Sequence, residues 1–398
     1  DARLATAKAR LGGIDALADW RTSAGELTAA AEALRGELGA LAADATAKKR
    51  FTDFEAELAR WQAAAKRFAD VGVRFGDGDL TGGLAALRAE GGAAEQDFAR
   101  LQQAIELCRK AFARIEGELD LAAVAQDLTQ ARELVRAMPL LPGAVAARID
   151  EWLAGVEGLR RAAAGMVAIP AGTARTPAGH VPGFFLAATE CSRGEWKQFQ
   201  AALKAAATGT TDAERHTAVA GRLTGSGLDA AGLAELLQNE PTGDDDQPID
   251  RVTWREAMAW CRWHGKDLPT AAEWSLAAFG DGGGYQFPWG KEWSNDPQQR
   301  NPSSELLAKV ADGGLSWRSA DGGKIHHLGG NVAEWLHAEP SAVVANAAGG
   351  RHNQPGRAAA EEAAMGRHEE RQTDERLRGI GFRAVLRPRS FRALNWPR

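Results

Sequence analysis

The chain changes its composition near Gly165, and this change constrains the fold more than any other feature of the sequence. Only three of the 13 tryptophans precede that position, and the first of the eight histidines is His180. The first half is rich in Ala, Leu, Arg and Glu, which are good helix formers. Two regions of such different composition predict two domains, which we place at residues 1–163 and 164–398.

The first half has the apolar spacing of packed helices, with steps that alternate between three and four residues. Two series show this spacing: Phe51, Phe54, Leu58, Trp61, Ala65 and Phe68, and Phe98, Leu101, Ile105, Cys108, Phe112, Ile115 and Leu119. Breaks near Gly76, Gly91 and Pro142 interrupt the pattern. We therefore predict an antiparallel helical bundle or coiled-coil hairpins, in which Cys108 is a buried small hydrophobe and self-association through the seams is allowed.

The second half has short apolar runs, many Gly and Trp residues and few long periodic stretches. Strands are predicted at 166–170 and 183–187, and helices at 193–206 and 254–264. A third helix is predicted after Thr270, which precedes Glu273 at the spacing of a capping box. The stretch 207–247 is interpreted as a surface insertion with one helical piece at 230–238. The fold class is therefore α+β, with an all-α first domain.

Composition excludes several classes of protein. A net charge of −5 and a pI near 6.0 give no attraction to nucleic acid, and no run of about 18 apolar residues is long enough to span a membrane. Three cysteines do not make a disulfide framework, and their small number favours a reducing compartment, the bacterial cytoplasm. The chain starts at Asp1 without a signal-peptide pattern, so we expect a processed or longer protein. A missing upstream anchor would place it at the cell surface.

Ordered blocks of the second half resemble the formylglycine-generating-enzyme or sulfatase-modifying-factor family. They are MVAIPAGT from Met166, the helix from Glu190 to Phe199, PIDRVTWREAMAWCRWHGKDLPTAAEW from Pro248, FPWG from Phe287, GNVAEW from Gly330 and GFR from Gly381. The resemblance implies a C-type-lectin-like domain. Within these blocks we interpret the tryptophans as packing anchors, and Glu273, Glu334 and Arg383 as buried, paired charges.

The catalytic groups of that family are missing from this chain. The resemblance places two copper-binding cysteines at positions that are here Gln354 and Ala359, and no cysteine follows Cys261. Neither side chain binds copper(I), which prefers thiolates. Related sulfoxide synthases carry iron on a helical domain, but the helical half here has no histidine ligand. We therefore expect a protein that is not an enzyme and that requires no cofactor.

A calcium ion is the metal that the resemblance still allows. Its matching oxygen donors are Gly330, Val332 and Glu334. The family's upstream asparagine is His327 here, which is a poor calcium ligand. The pair His326-His327 could also indicate a transition metal, although adjacent histidines without further ligands are more typical of a surface or a loop.

Without catalytic groups, the scaffold remains as a binding module. The resemblance places the family's cleft near the mixed-charge run that starts at Arg367, and a polar surface of this kind fits a protein or another macromolecule. We assign the binding residues as Arg351, His352, Asn353, Gln354, Arg367, His368, Glu370, Arg371 and Arg376. The variable proteins of diversity-generating retroelements resemble this chain in placing binding residues just before the terminal GFR. The alternatives are a sensor or adaptor domain of a kinase or other effector, and an oxidase-type enzyme with an unrecognised metal site.

Overall fold

The chain forms two compact units in the computed structural model. A helical unit comprises residues 1–115 and 120–158, and a mixed unit comprises 116–119 and 159–391. The residues described are 2–14, 17–40, 45–87, 94–138, 141, 143–175, 177–292, 307–313, 323–351 and 368–388.

Seven helices account for most of the described first half. They are α1 (Ala2–Gly12), α2 (Leu17–Ala40), α3 (Ala45–Gly76), α4 (Leu80–Leu87), α5 (Glu95–Gly117), α6 (Leu121–Arg136) and α7 (Gly143–Ala162). Helix α3 ends and α7 begins at two of the breaks read from the sequence, and the break near Gly91 lies outside the described residues. The prediction of several helices separated by turns is confirmed.

The apolar seams predicted from spacing are buried in this unit, and Cys108 is fully enclosed as expected. Two positions differ by one residue. Ala64 is buried in place of Ala65, and Ala111 is more enclosed than Phe112, whose ring edge meets Trp152 at 4.9 Å between centroids. A helix advances 3.6 residues per turn, so a strict alternation of three and four drifts around its surface.

The mixed unit contains nine short strands in three sheets. The strands are β1 (Met166–Ile169), β2 (Gly172–Arg175), β3 (Ala178–Val181), β4 (Phe184–Ala187), β5 (Ala333–Trp335), β6 (Val344–Ala348), β7 (Glu369–Gln372), β8 (Ile380–Gly381) and β9 (Val385–Leu386) in the described residues. Their orders are β1-β4-β9, β2-β3 and β7-β6-β5-β8. All pairs are antiparallel except β5 with β8.

Five α-helices pack with these sheets: α8 (Arg193–Ala206), α9 (Asp212–Leu223), α10 (Ala230–Gln238), α11 (Trp254–Trp263) and α12 (Ala271–Phe279). Four of them begin with a capping box, in which a Ser or Thr hydroxyl and a Glu three residues later satisfy each other's backbone amides. The predicted box of Thr270 and Glu273 is one of these. In the described part of the chain, no helix is both long and apolar enough to cross a membrane.

The stretch 207–247 holds two helices, whereas the sequence analysis expected one. Helix α10 matches the expected piece, and α9 was missed. Val219 and Leu223 of α9 are buried with Leu233 and Leu236 of α10 in the same apolar core as Trp254. Burying each of these apolar side chains stabilises the folded state by about 1.5–3 kcal/mol relative to leaving it exposed. The segment therefore contributes to the core of the unit.

A fully buried ion pair lies at the centre of the mixed unit. The Arg383 guanidinium donates to both carboxylate oxygens of Glu334, and neither side chain is exposed to solvent. It also donates to the carbonyl oxygens of Ala187 at 3.1 Å and His326 at 2.7 Å. Each buried charge thus has a partner, as a low-dielectric interior requires. The prediction that Glu334 and Arg383 are buried and paired is confirmed.

Glu273 is the third charge predicted to be buried and paired. It is 6% exposed, and its carboxylate accepts two hydrogen bonds from Arg387 at 2.6 and 2.7 Å. The prediction is confirmed. Arg387 also donates to Asp267 at 2.8 Å. The residue that follows β9 is thereby bonded both to α12 and to the loop that precedes α12.

Candidate binding face

Five of the nine predicted binding residues lie in the described part of the chain. Arg351 follows β6, Glu370 and Arg371 belong to β7, and His368 precedes that strand. Arg376 lies in the turn after β7. The other four, His352, Asn353, Gln354 and Arg367, lie outside the described residues.

Ion pairs restrain the side chains on one face of the β6–β7 pair. Glu369 lies between two arginines: Arg351 donates to its carboxylate at 2.6 Å, and Arg371 contacts the other oxygen. Arg351 also donates to the carbonyl of Arg378 at 3.4 Å. Arg351 is mostly buried and Glu369 is about a quarter exposed, so these pairs are screened less than surface ones. The sequence analysis did not single out Glu369, the acid that joins them.

Arg376 ties the turn after β7 to two helices. It donates to Glu256 of α11 and, at 3.2 Å, to Glu235 of α10. Glu256 is almost fully buried and is also the capping-box acid of α11, where it accepts from the amide of Thr253 at 2.9 Å. Burial lowers the pKa of Arg376, but the hydrogen bond and charge of Glu256 outweigh this and hold it above the usual value. Arg376 is therefore an anchoring residue.

The other side of the β6–β7 pair carries uncommitted polar groups. Asn346 is directly opposite Glu370, and Gln372 follows on the same face, because side chains alternate along a strand. All three are exposed, and within the described residues their side chains form no hydrogen bond or ion pair. We call Asn346, Glu370 and Gln372 the polar strip. Only Glu370 was predicted as a binding residue.

His368 lies immediately before β7 and is half-buried. Burial holds its pKa below the usual value, so the ring is neutral near pH 7. Its Nε2 atom is enclosed and has no hydrogen-bond partner among the described residues. His368 is thus a neutral, partly enclosed side chain at the start of β7.

A polar cleft of about 450 Å³ adjoins this region, and the sequence analysis missed it. Three arginines line it: Arg193, Arg251 and Arg378. Arg193 is held by Gln247 at 2.6 Å and by Asp250 at 3.3 Å. Composition and spacing give no signal for this cleft, because its walls come from α8, the turn after α10 and the last turn before β8.

Arg251 has an unusual backbone in this cleft. Its φ angle is 58°, in the left-handed region that residues with a Cβ rarely adopt. Its amide donates to the carbonyl of Leu377 at 3.2 Å, while the neighbouring Asp250 accepts from the amide of Gly379 at 3.0 Å. These bonds fix the loop before α11 to the turn before β8, and they hold the Arg251 side chain at the exposed rim of the cleft.

The predicted calcium ligands Gly330, Val332 and Glu334 lie together in the loop before β5 and in β5 itself. Glu334, however, accepts from Arg383 with both oxygens and from Trp274 Nε1 at 3.0 Å. A guanidinium in direct contact with the carboxylate repels a divalent cation. This donor set does not fit a calcium ion, so the calcium site stays a prediction without support from these contacts.

His327, which stands where the family's asparagine is expected, is buried within a loop, so of the surface or loop position expected for the pair it has the loop. Its Nε2 atom lies 3.2 Å from the carbonyl oxygen of Lys309, while His326 Nδ1 lies 2.8 Å from that of Gly313. Burial lowers the pKa of His327 to about 4. The two histidines therefore hold the segment 307–313 through its carbonyl oxygens. The described residues contain no group of three or more His, Cys, Asp or Glu side chains that could hold a metal.

The three cysteines offer no reactive thiol. Cys108, Cys191 and Cys261 are all buried and free. Burial raises the pKa of each thiol well above its usual value, which keeps all three protonated.

Comparison with known proteins gives a family match over residues 156–388, to the sulfatase-modifying factor enzyme 1-like domain. The formylglycine-generating enzyme of Streptomyces coelicolor is 36% identical over 113 residues, which are 25% of this chain and 35% of that protein. A Bos taurus protein named inactive C-alpha-formylglycine-generating enzyme 2 is 37% identical over 107 residues, 24% of this chain and 34% of that protein. The chain thus matches about a third of the length of these curated relatives.

Among solved structures, Treponema denticola variable protein 1 aligns over 56% of this chain and 95% of its own, with a TM-score of 0.36 and 15% identity. The predicted architecture, an N-terminal helical region followed by a domain similar to formylglycine-generating enzymes, is confirmed.

Proposed function

We propose that this chain, which belongs to the sulfatase-modifying factor enzyme 1-like family, is a binding module that contacts another protein through the face formed by β6 and β7. The observation that carries the proposal is the difference between the two faces of the β6–β7 pair. Ion pairs hold one side, and the polar strip leaves amide and carboxylate groups free on the other.

Rigid support makes such a strip suitable for recognition. Arg351, Glu369 and Arg371 restrain β7 from one side, and Arg376 anchors the turn that follows it. This surface loses little conformational entropy when a partner binds, because it is already ordered and no binding energy is spent on ordering the loop. The exposed amides and carboxylate of the polar strip then provide directional hydrogen bonds to a protein surface.

The proposal excludes the family's copper chemistry for this chain. No cysteine follows Cys261, and the described thiols are enclosed and protonated. That one relative is named inactive supports a scaffold that persists without this chemistry. Copper and iron analysis of the purified protein, together with oxygen consumption, tests this part. Stoichiometric redox-active metal with turnover would make the oxidase-type alternative correct.

Site-specific photocrosslinking tests the binding face. Benzoylphenylalanine replaces Glu370 in the polar strip, and the same residue replaces Lys204, an exposed position on α8, as the matched control. We expect a discrete adduct from Glu370 in the cells that encode the protein, and none from Lys204. The adduct should diminish when Asn346→Arg is added, because that side chain lies opposite Glu370. Equal labelling from both positions, or none from either, contradicts the proposal.

A narrower version treats the protein as a variable protein of a diversity-generating retroelement. It rests on the sequence resemblance in the segment before the terminal GFR. A reverse-transcriptase gene nearby and a near-copy of the DNA for this segment are its required genomic neighbours. Their absence eliminates this version and leaves the binding module itself untouched.

A further inference from the structure

We propose a second binding site, for a small organic carboxylate, in an aromatic cleft of the mixed unit that is separate from the binding face. The cleft consists of two adjoining depressions of about 360 and 320 Å³, which share Glu195, Trp260 and Lys266 as walls. Each volume lies in the lower range of small-molecule pockets, and together they suit a ligand with one ring or a short aliphatic body.

Aromatic side chains form the floor of the cleft. Trp260 packs edge-on against Phe382 at 5.4 Å between ring centroids, and Phe199 meets Trp263 at 6.0 Å. Trp263 remains half-exposed. These rings are large apolar surfaces fixed by the core behind them, so an apolar ligand group gains burial without ordering the protein.

Two cations lie beside this floor, and two acids line the cleft: Glu195 and the buried Glu190, which accepts from Asn331 at 2.9 Å. Lys266 lines both depressions, and Arg222 lies over the Trp263 ring at 3.6 Å. Within the described residues, neither makes an ion pair. Glu195 is the exposed acid of the two, and its Oε2 atom accepts from the amide and the hydroxyl of Ser192, at 2.8 and 3.0 Å. An anion can therefore pair with Lys266 without displacing an internal partner.

Trp260 supplies a donor that is unused within the described residues. The side chain is 94% buried, since only 6% is exposed, and its Nε1 atom has no hydrogen-bond acceptor. A buried N–H without a partner costs about 1–3 kcal/mol. The Nε1 atom is enclosed in this structure, and the His264 ring lies tilted at 35° to the indole with 4.2 Å between centroids. Its Nδ1 atom lies 2.8 Å from the carbonyl oxygen of Trp260, a contact that a ligand must replace. We infer that a ligand carboxylate displaces His264 and accepts hydrogen bonds from Trp260 and Lys266.

Titration of the full chain, labelled with ¹⁵N at its tryptophans, tests this site. The probes are benzoate, phenyl phosphate and benzyl alcohol, and the Trp260→Phe variant assigns the Nε1 signal. We expect benzoate to shift the Trp260 signal downfield in a saturable way, while benzyl alcohol, which has the ring but no charge, leaves it in place. A shift from phenyl phosphate alone would overturn the assignment of a carboxylate.

A matched pair of lysine variants gives the second readout. Lys266→Met should weaken benzoate binding by about tenfold, the effect of losing one charged hydrogen bond. Lys204→Met, on the exposed face of α8, should leave the affinity unchanged. Circular dichroism confirms that both variants fold. No shift with benzoate, an equal shift with benzyl alcohol, or equal affinity of the two variants overturns the proposal. None of these outcomes bears on the polar strip.

Discussion

Replacing Glu334 by glutamine keeps the shape of the side chain and removes the charge that balances Arg383. In the native protein the guanidinium donates at 2.8 Å from Nε to both carboxylate oxygens and at 2.6 Å from Nη2 to one of them. The amide of glutamine retains one acceptor oxygen and adds a donor that faces the guanidinium. Arg383 is fully buried and cannot turn to water, so it loses the anion that contacts it directly. Breaking a buried pair from one side typically costs about 3–5 kcal/mol.

Urea unfolding followed by tryptophan fluorescence measures this cost, because ten of the 13 tryptophans follow Gly165. The control is Glu240→Gln, which removes one carboxylate from an exposed pair with Lys204. The control should change the unfolding free energy by less than about 1 kcal/mol. We expect a loss of about 3–5 kcal/mol for Glu334→Gln with an unchanged slope. A loss below about 1 kcal/mol would falsify the view that this pair is a buried, mutually dependent unit.

Three further predictions follow from single contacts. Arg376→Met leaves the nearly buried Glu256 without its cation and should destabilise the mixed unit by about 1.5–3 kcal/mol, with faster hydrogen exchange at 373–379 than in Arg371→Met. Thr211→Ala removes the hydroxyl that caps α9 and should cost about 1 kcal/mol in urea unfolding, whereas no measurable cost would show that α9 does not depend on its cap. Acidification from pH 6.5 to about 4 should destabilise the protein, because the unfolded chain protonates His327 more readily than the folded one. The slope, at most about 1.4 kcal/mol per pH unit, should diminish in His327→Gln, and an identical profile in both proteins would refute the assignment.

Local sequence patterns predicted the parts of the fold that local physics determines. The capping box at Thr270, the strand from Met166 and the helix from Arg193 all appear where spacing and residue type placed them. The buried charges Glu334 and Arg383 were also predicted, since a glutamate and an arginine within apolar blocks need partners. Helix α9 was missed, although Thr211 and Glu214 form the same capping signal.

The features of the candidate site that escaped prediction depend on contacts between distant segments. Glu369 becomes important only because β6 brings Arg351 beside it. The polar cleft brings together Arg193 and Arg378, which are far apart in the sequence. His327 is buried because the segment 307–313 folds over it, and nothing in the pair of adjacent histidines indicates that cover. A single sequence carries little information on which distant segments meet.

The large sequence separation between β4 and β9 has a consequence for synthesis of the protein. Strand β4 lies between β1 and β9, and Leu186 pairs with Val385, so its second neighbour is translated about 200 residues later. At about 5–20 residues per second, a ribosome takes roughly 10–40 s to supply it. During that interval the carbonyl of Ala187 also lacks its guanidinium donor, and Glu334, which is synthesised 49 residues before Arg383, lacks its partner for the last part of it. The helical unit can fold while translation continues, but the sheet of the mixed unit can be completed only after β9 has left the ribosomal exit tunnel.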